Sequence, residues 1–175
     1  MNAVSPPTAW VVGTFDTKAA ELDYLAGLVR AAGVRVVTVD VGTRSAPGAA
    51  DIDAAAVARH HPRGAAAVFG TADRGEAVIA MGDALATLVR ERLAAGEIQA
   101  MLGVGGSGGS SMIAPAMRLL PIGVPKLLVS TMAAGNVAAY AGVVDMTLTY
   151  PVTDIAGLNR LSRTILAHAA PAPAG

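Results

Sequence analysis

The chain has no cysteine, which excludes a disulfide framework, a thiol nucleophile and a zinc-finger site. Aromatic residues amount to only 3%, so a core has to be built from Ala, Val, Leu, Ile and Met. Such smooth packing suits helices lying on a parallel sheet. Charged residues are scarce, at 15% against a usual share of about a quarter. Neither sign is in excess, with thirteen basic and thirteen acidic residues. No basic stripe with interleaved aromatics occurs, so a nucleic-acid partner is not expected. The three histidines, His60, His61 and His168, are too scattered to hold a metal. A basic segment followed by an apolar one is missing from the N-terminus, and a cytoplasmic location is expected. Leu127 to Val144 carries no charge over eighteen residues, which reaches the lower limit for a membrane span. Ser130, Thr131, Gly135, Asn136, Tyr140 and Gly142 interrupt it, and a strand followed by a small-residue loop accounts for it without a membrane.

What remains is a chain of 175 residues, enough for one domain with a full core. We expect that domain over residues 9–170, between a flexible N-terminus (1–8) and a disordered tail (171–175). Apolar runs predict strands at Ala9–Phe15, Val34–Val41, Ala65–Phe69, Gln99–Val104, Val124–Ser130 and Asp145–Tyr150. Leu22, Leu25, Leu28 and Val29 recur at helical spacing and predict a helix over Thr17–Ala32, capped by Asp16 or Thr17 and closed by Gly33. Further helices are expected at Ile52–His60, Arg74–Ala95, after Met112 and at Leu158–Ala169. The alternation predicts an α/β, Rossmann-like doubly wound fold. Its sheet would be mainly parallel, of about five or six strands, with helices on both faces. Ligands in such sheets bind beyond the carboxyl ends of the strands. The loops there, from Gly13, Gly42, Gly70, Gly103, Ser130 and Pro151 onward, would form one polar rim.

The stretch Gly103 to Ser111 holds five glycines and three serines in nine residues, set between an apolar strand and a helical pattern. A helix that starts at a glycine cluster presents free N–H groups and the positive end of its dipole, which is an anion site. Glycine keeps side chains away from the ligand, and several of these residues are expected to need positive φ. Gly103-Val-Gly105-Gly106-Ser-Gly108 also fits the dinucleotide pattern G-x-G-x-x-G. The acid that should follow the next strand is replaced by Ser130-Thr131. Gly105-Gly106-Ser107-Gly108-Gly109 fits the nucleophile elbow G-x-S-x-G, with Asp145 or Asp154 and His168 following in hydrolase order. His168 lies near the end of the last predicted helix, a poor place for a general base. A third reading treats the glycine loop as an oligomer contact. Whether the chain is an enzyme stays open at this point.

Around that stretch, Thr17 and Lys18 could offer a hydroxyl, an N–H and a cation to a phosphate, and Asp16 a carboxylate to a ribose or to Mg²⁺. Arg74 opens a helix, where the dipole disfavours a cation unless an anion compensates. Asn136 and Asp154 read as turn residues.

The blocks G-T-F-D-T-K-x-x-E-L-x-Y-L, V-D-V-G-T, D-R-G-E-A, G-V-G-G-S-G-G-S-S, L-P-I-G-V-P-K-L-L-V-S-T-M-A-x-G and D-I-A-G-L-N-R-L-S-R resemble the ATP-binding N-terminal part of the plant tobamovirus-resistance protein family and its uncharacterised bacterial relatives. The resemblance runs from about Gly13 to His168. It implies a Rossmann-like subdomain with ATP as ligand, dimer formation, and a second subdomain of related size. The chain is therefore expected to be one half of a larger two-subdomain protein or complex, completed by a homo-oligomer or a separate chain. By motif match the ATP contacts fall on Asp16, Thr17 and Lys18, on Thr43, on Arg74, and on Gly106, Ser107, Gly108 and Gly109. Gly105 opens the same loop and joins them as a candidate.

Overall fold

The computed structural model describes residues 7–171. Five parallel strands form one sheet in the order β2-β1-β3-β4-β5: β1 (Thr8–Gly13), β2 (Arg35–Asp40), β3 (Ala100–Gly105), β4 (Lys126–Ser130) and β5 (Thr147–Thr149). The helices are α1 (Phe15–Ala31), α2 (Ala54–Ala58), α3 (Ala66–Phe69), α4 (Arg74–Ala94), α5 (Ser107–Met117), α6 (Ala138–Ala141) and α7 (Arg160–Ala169), with a 3-10 turn at Thr131–Ala134. None of them is long and apolar enough to cross a membrane. The uncharged stretch from Leu127 is divided among β4, the 3-10 turn and α6.

Side-chain alternation along the strands divides the core into two layers. Trp10, Val12, Met101 and Leu128 point to the layer built by α2, α4 and α5. Ala9, Val11, Leu102, Val104, Leu127 and Val129 point to the layer built by α1 and α7. A Cβ on Gly103 would stand 2.8 Å from both Ile113 Cγ2 and Leu128 Cδ1. The missing side chain there is what brings α5 close to the sheet.

Two expectations change. Ala65–Phe69 is not a strand: Gly64, at φ 71°, turns the chain, and the N–H groups of Phe69 and Gly70 bond back to the carbonyls of Ala65 and Ala66 in helical fashion. Three consecutive alanines favour that helix over a sheet, and the flank of β2 is met instead by a single bridge from Ile52 to Val39. The sheet accordingly has five strands. Thr8, assigned to the flexible N-terminus, is the first residue of β1. The remainder of 1–8 apart from Pro7, and of the tail 171–175 apart from Pro171, lies outside the described residues.

Candidate functional site

The strand order reverses direction between β1 and β3. At such a switch point the loops leaving two neighbouring strands diverge to opposite faces and open a crevice. A cleft of about 250 Å³ lies there, lined by Thr14, Asp16, Thr17, Lys18, Thr43, Arg74, Val78, Gly106, Ser107, Gly108, Gly109 and Met112. Nine of the ten candidate residues line it. A smaller adjoining hollow of about 90 Å³ shares Thr43 and Arg74 and continues past Arg44 to Phe69, a residue 46% exposed. A larger hollow of about 600 Å³ runs along α3 and α4. None of its lining residues belongs to a strand or to the loop directly after one, so it lacks the convergence found at the switch point.

Three helices begin at the cleft: α1 at Phe15, α4 at Arg74 and α5 at Ser107. Each brings the positive end of its dipole and its first N–H groups. The first turn of α4 is capped by Asp73, whose Oδ1 accepts from the Glu76 amide at 2.9 Å. Neither α1 nor α5 has a side-chain cap from its own N-cap residue, Thr14 or Gly106. Asp16 and Thr17, expected as caps, sit instead within the first turn of α1. Lys18 follows with non-helical angles (φ −137°, ψ 24°), setting that turn off from the rest of the helix.

Positive φ does not explain the glycine loop. None of Gly103, Gly105, Gly106, Gly108 and Gly109 is among the glycines with φ above zero, which corrects the expectation. Packing explains two of them. Gly103 admits α5, and a Cβ on Gly105 would stand 2.8 Å from Ser110 N and 2.9 Å from the Gly109 carbonyl carbon. Gly105 is thus buried beneath the turn and does not line the cleft. Packing does not explain the others. A Cβ on Gly108 would meet nothing within 4 Å, and one on Gly106 or Gly109 would have its nearest neighbour at 3.8 Å. A side chain on any of these three, which line the cleft, would not clash with the packed protein. Behind the loop, Ser110 Oγ and Ser130 Oγ share a buried hydrogen bond of 2.6 Å that fixes α5 to the end of β4.

The charged candidates differ in freedom. Asp73 and Glu76, the carboxylates nearest Arg74 in sequence, are engaged with the Glu76 amide and with Thr71 Oγ1. No ion pair of Arg74 occurs among the described residues. Lys18 Nζ donates to the Ile155 carbonyl at 2.5 Å, which ties the cleft to the loop after β5 and leaves two of its three N–H groups. Asp16 is exposed at the rim.

Asp40 was not anticipated. It ends β2 with no exposure, and its Oδ1 accepts from the amides of Phe15 (3.0 Å) and Gly42 (2.7 Å). Burial pushes its carboxyl above the usual range. The Ser45 hydroxyl and the two amides pull back, and the charge of Asp16 adds to the push. Ser45 Oγ lies near, yet neither it nor Asp40 Oδ2 makes a hydrogen bond of good geometry. The only sequence signal was a carboxylate at the end of an otherwise apolar, β-branched run.

The remaining candidates stand apart. His168 is exposed in the last turn of α7 and does not line the cleft. Asp145 is bonded to Lys126 Nζ and the Gly123 amide, at the start of β4, the opposite end of the sheet. Asn136 Oδ1 caps the Ala138 amide. Among the described residues no group of three or more His, Asp or Glu gathers as a metal site.

Fold and cleft together define a parallel α/β domain of the Rossmann-like class with its crevice at the β1/β3 switch point. Within that class the chain belongs to the UPF0261 family: residues 7–175 match the N-terminal domain of this uncharacterised protein family. It is 51% identical over 166 residues to a UPF0261 protein of Mesorhizobium japonicum, covering 95% of this chain and 41% of that one. A UPF0261 protein of Rhizobium meliloti is 52% identical over 163 residues, covering 93% and 40%. The ToMV susceptible protein tm-1(GCR26) of Solanum lycopersicum is 35% identical over 185 residues, covering 97% of this chain and 24% of the tomato protein. The chain therefore spans about two-fifths of the bacterial relatives and a quarter of the plant one.

Proposed function

We propose that this domain binds ATP in the switch-point cleft, with the phosphates on the Gly106 to Gly109 loop and the N-terminus of α5. The observation that carries the reading is the loop itself: Gly106, Gly108 and Gly109 are required neither by backbone angle nor by packing. Their place on the cleft wall is accounted for by a ligand that must approach the backbone N–H groups. Arg74 and the two spare N–H groups of Lys18 would supply charge, and Thr17, Thr43 and Ser107 hydroxyls. Asp16 would take a ribose hydroxyl or hold Mg²⁺ against the phosphates. The adjoining hollow reaches Phe69, a half-exposed residue whose ring could stack with a base.

The hydrolase alternative finds less support. Ser107 is exposed on the cleft, but no histidine lines it and Asp145 serves the far rim. In the longer relatives, the part of the chain beyond this domain would close the cleft, or a second copy would, and affinity would depend on that closure.

Calorimetric titration of the folded chain with ATP and Mg²⁺ tests the proposal, and saturable binding is expected. Ser107→Ala should weaken it by about 1.5–3 kcal/mol, the worth of a hydrogen bond to a charged group. No saturation at millimolar ATP overturns the reading. ATP turnover that Ser107→Ala abolishes with affinity unchanged would favour the enzyme.

A further inference from the structure

Two of the walls of the cleft, those facing the glycine loop after β3, come from separate loops. One wall, Thr14 to Lys18, follows β1, and the other, carrying Thr43, follows β2. No strand pairing extends past Gly13 and Asp40 to hold them together. One main-chain bond, from the Val41 amide to the Gly13 carbonyl at 2.9 Å, holds their bases; beyond it, the Asp40 side chain joins them. Asp40 Oδ1 accepts from Phe15 N, the first amide of α1, and from Gly42 N, the amide just before Thr43.

The need for this link is visible locally. Thr14 occupies the N-cap position of α1 but spends its hydroxyl on Thr17 Oγ1 at 2.8 Å. The first turn is thus capped from another element. The loops also touch: a Cβ on Gly42 would stand 2.9 Å from Asp16 Cγ. A carboxylate buried completely, with one oxygen left without a partner, is costly to keep. A neutral side chain would serve sheet packing better.

We infer that Asp40 is a positioning residue for the cleft. By holding the β1 and β2 loops in register, it sets the distance between the Asp16–Lys18 wall and Thr43. It touches no ligand, since it is buried beneath both loops. The inference rests on the nucleotide reading of the cleft only for its affinity readout, because the clamp itself is a property of the free protein.

The test combines ATP titration with amide hydrogen exchange, followed by NMR on the labelled chain. In Asp40→Ala, the Phe15 and Gly42 amides should lose protection, and ATP affinity should fall about tenfold or more, as expected for losing the two bonds that order the walls. Amides of β4 and α7 should keep theirs. Asp40→Asn retains an acceptor oxygen for both amides and gains a donor for Ser45. It should restore protection and bring affinity to within about threefold of the parent, less than one hydrogen bond's worth. Should Asp40→Ala fail to fold, Asp40→Ser replaces it, since its shorter side chain reaches at most one of the two amides. Unchanged affinity in the folded Ala or Ser variant overturns the inference, and so does an Asn variant as impaired as they are. If the folded parent chain binds no ATP, the nucleotide reading fails by itself. Exchange then decides the clamp: equal protection of Phe15 and Gly42 in parent and variant refutes it, and selective loss upholds it.

Discussion

The two ends of the sheet treat polar groups in opposite ways. At the end where strands begin, donors and acceptors are matched closely. Lys126 Nζ, with a side chain of zero exposure, donates to Asp145 and to the carbonyls of Pro121 and Val124, which uses all three of its protons. Nearby, the Thr8 amide donates to Gln99 Oε1, Gln99 Nε2 to the Gly96 carbonyl, and Arg35 Nε to Thr8 Oγ1. At the end where strands stop, three helix N-termini converge, and Arg74 has no ion pair among the described residues. Polar groups satisfied among themselves hold a fold together, whereas groups left open have capacity for something from outside. On the proposed reading, the first rim serves stability and the second serves binding.

The sharpest way to break that contrast is to remove the centre of the first rim. Lys126→Met keeps the volume of the stem but strands two carbonyls and Asp145. It should lower stability by roughly 2–4 kcal/mol, since three hydrogen bonds to a charged donor are lost, each worth about 1.5–3 kcal/mol, and the part-buried acceptors recover some of that from water. Urea denaturation measures the loss. ATP affinity extrapolated to full folding should be unchanged, and a parallel drop in affinity would show that the two rims are coupled.

Arg74→Ala should do the reverse. The helix dipole disfavours a cation at the start of α4, so thermal unfolding should stay within about 0.5 kcal/mol of the parent. ATP should bind about 10- to 100-fold more weakly, the equivalent of one charge-assisted hydrogen bond at about 1.5–3 kcal/mol. Loss of stability with affinity intact would assign Arg74 to the fold and not to the cleft.

This division was partly legible in the sequence. The glycine cluster between an apolar strand and a helical pattern located α5 and the crevice. The polar residues after each apolar run gathered at one edge, because parallel strands all end on the same side. Two kinds of feature were hidden. Ala65–Phe69 has the composition of a short apolar run, and five residues are too few to show a period; only Gly64 and the returning helical bonds decide its form. Asp40 and Lys126 each interrupt an apolar segment with a charge, and sequence cannot say what a buried charge faces. Asp40 turned out to face two amides, and Lys126 a carboxylate and two carbonyls. Gly105 and Gly106 are neighbours in one motif, yet the first is held by packing and the second by nothing in the protein.

The smallest effect, and the one most specific to the contrast, concerns pH. Asp145 and Asp40 shift in opposite directions. The Lys126 hydrogen bond, and then the Gly123 amide, hold the Asp145 carboxyl below the usual range, whereas burial holds Asp40 above it. Between the folded and unfolded pKa values of Asp145, the unfolded chain carries more protons, so stability rises with pH there. Its contribution is complete above the unfolded value, about pH 4, and disappears as pH falls through the folded one. For Asp40 the folded chain carries more protons, so stability falls as pH rises from about 4 through the folded value. Asp145→Asn should therefore cost stability at neutral pH, by a margin that closes on acidification. Asp40→Asn, which keeps the two amide bonds, should gain stability at neutral pH, and that gain should likewise vanish toward pH 3. Urea midpoints of the two variants against the parent, measured from pH 3 to 7, would then diverge with opposite signs. Margins of the same sign would mean that the Asp40 amide bonds outweigh its burial.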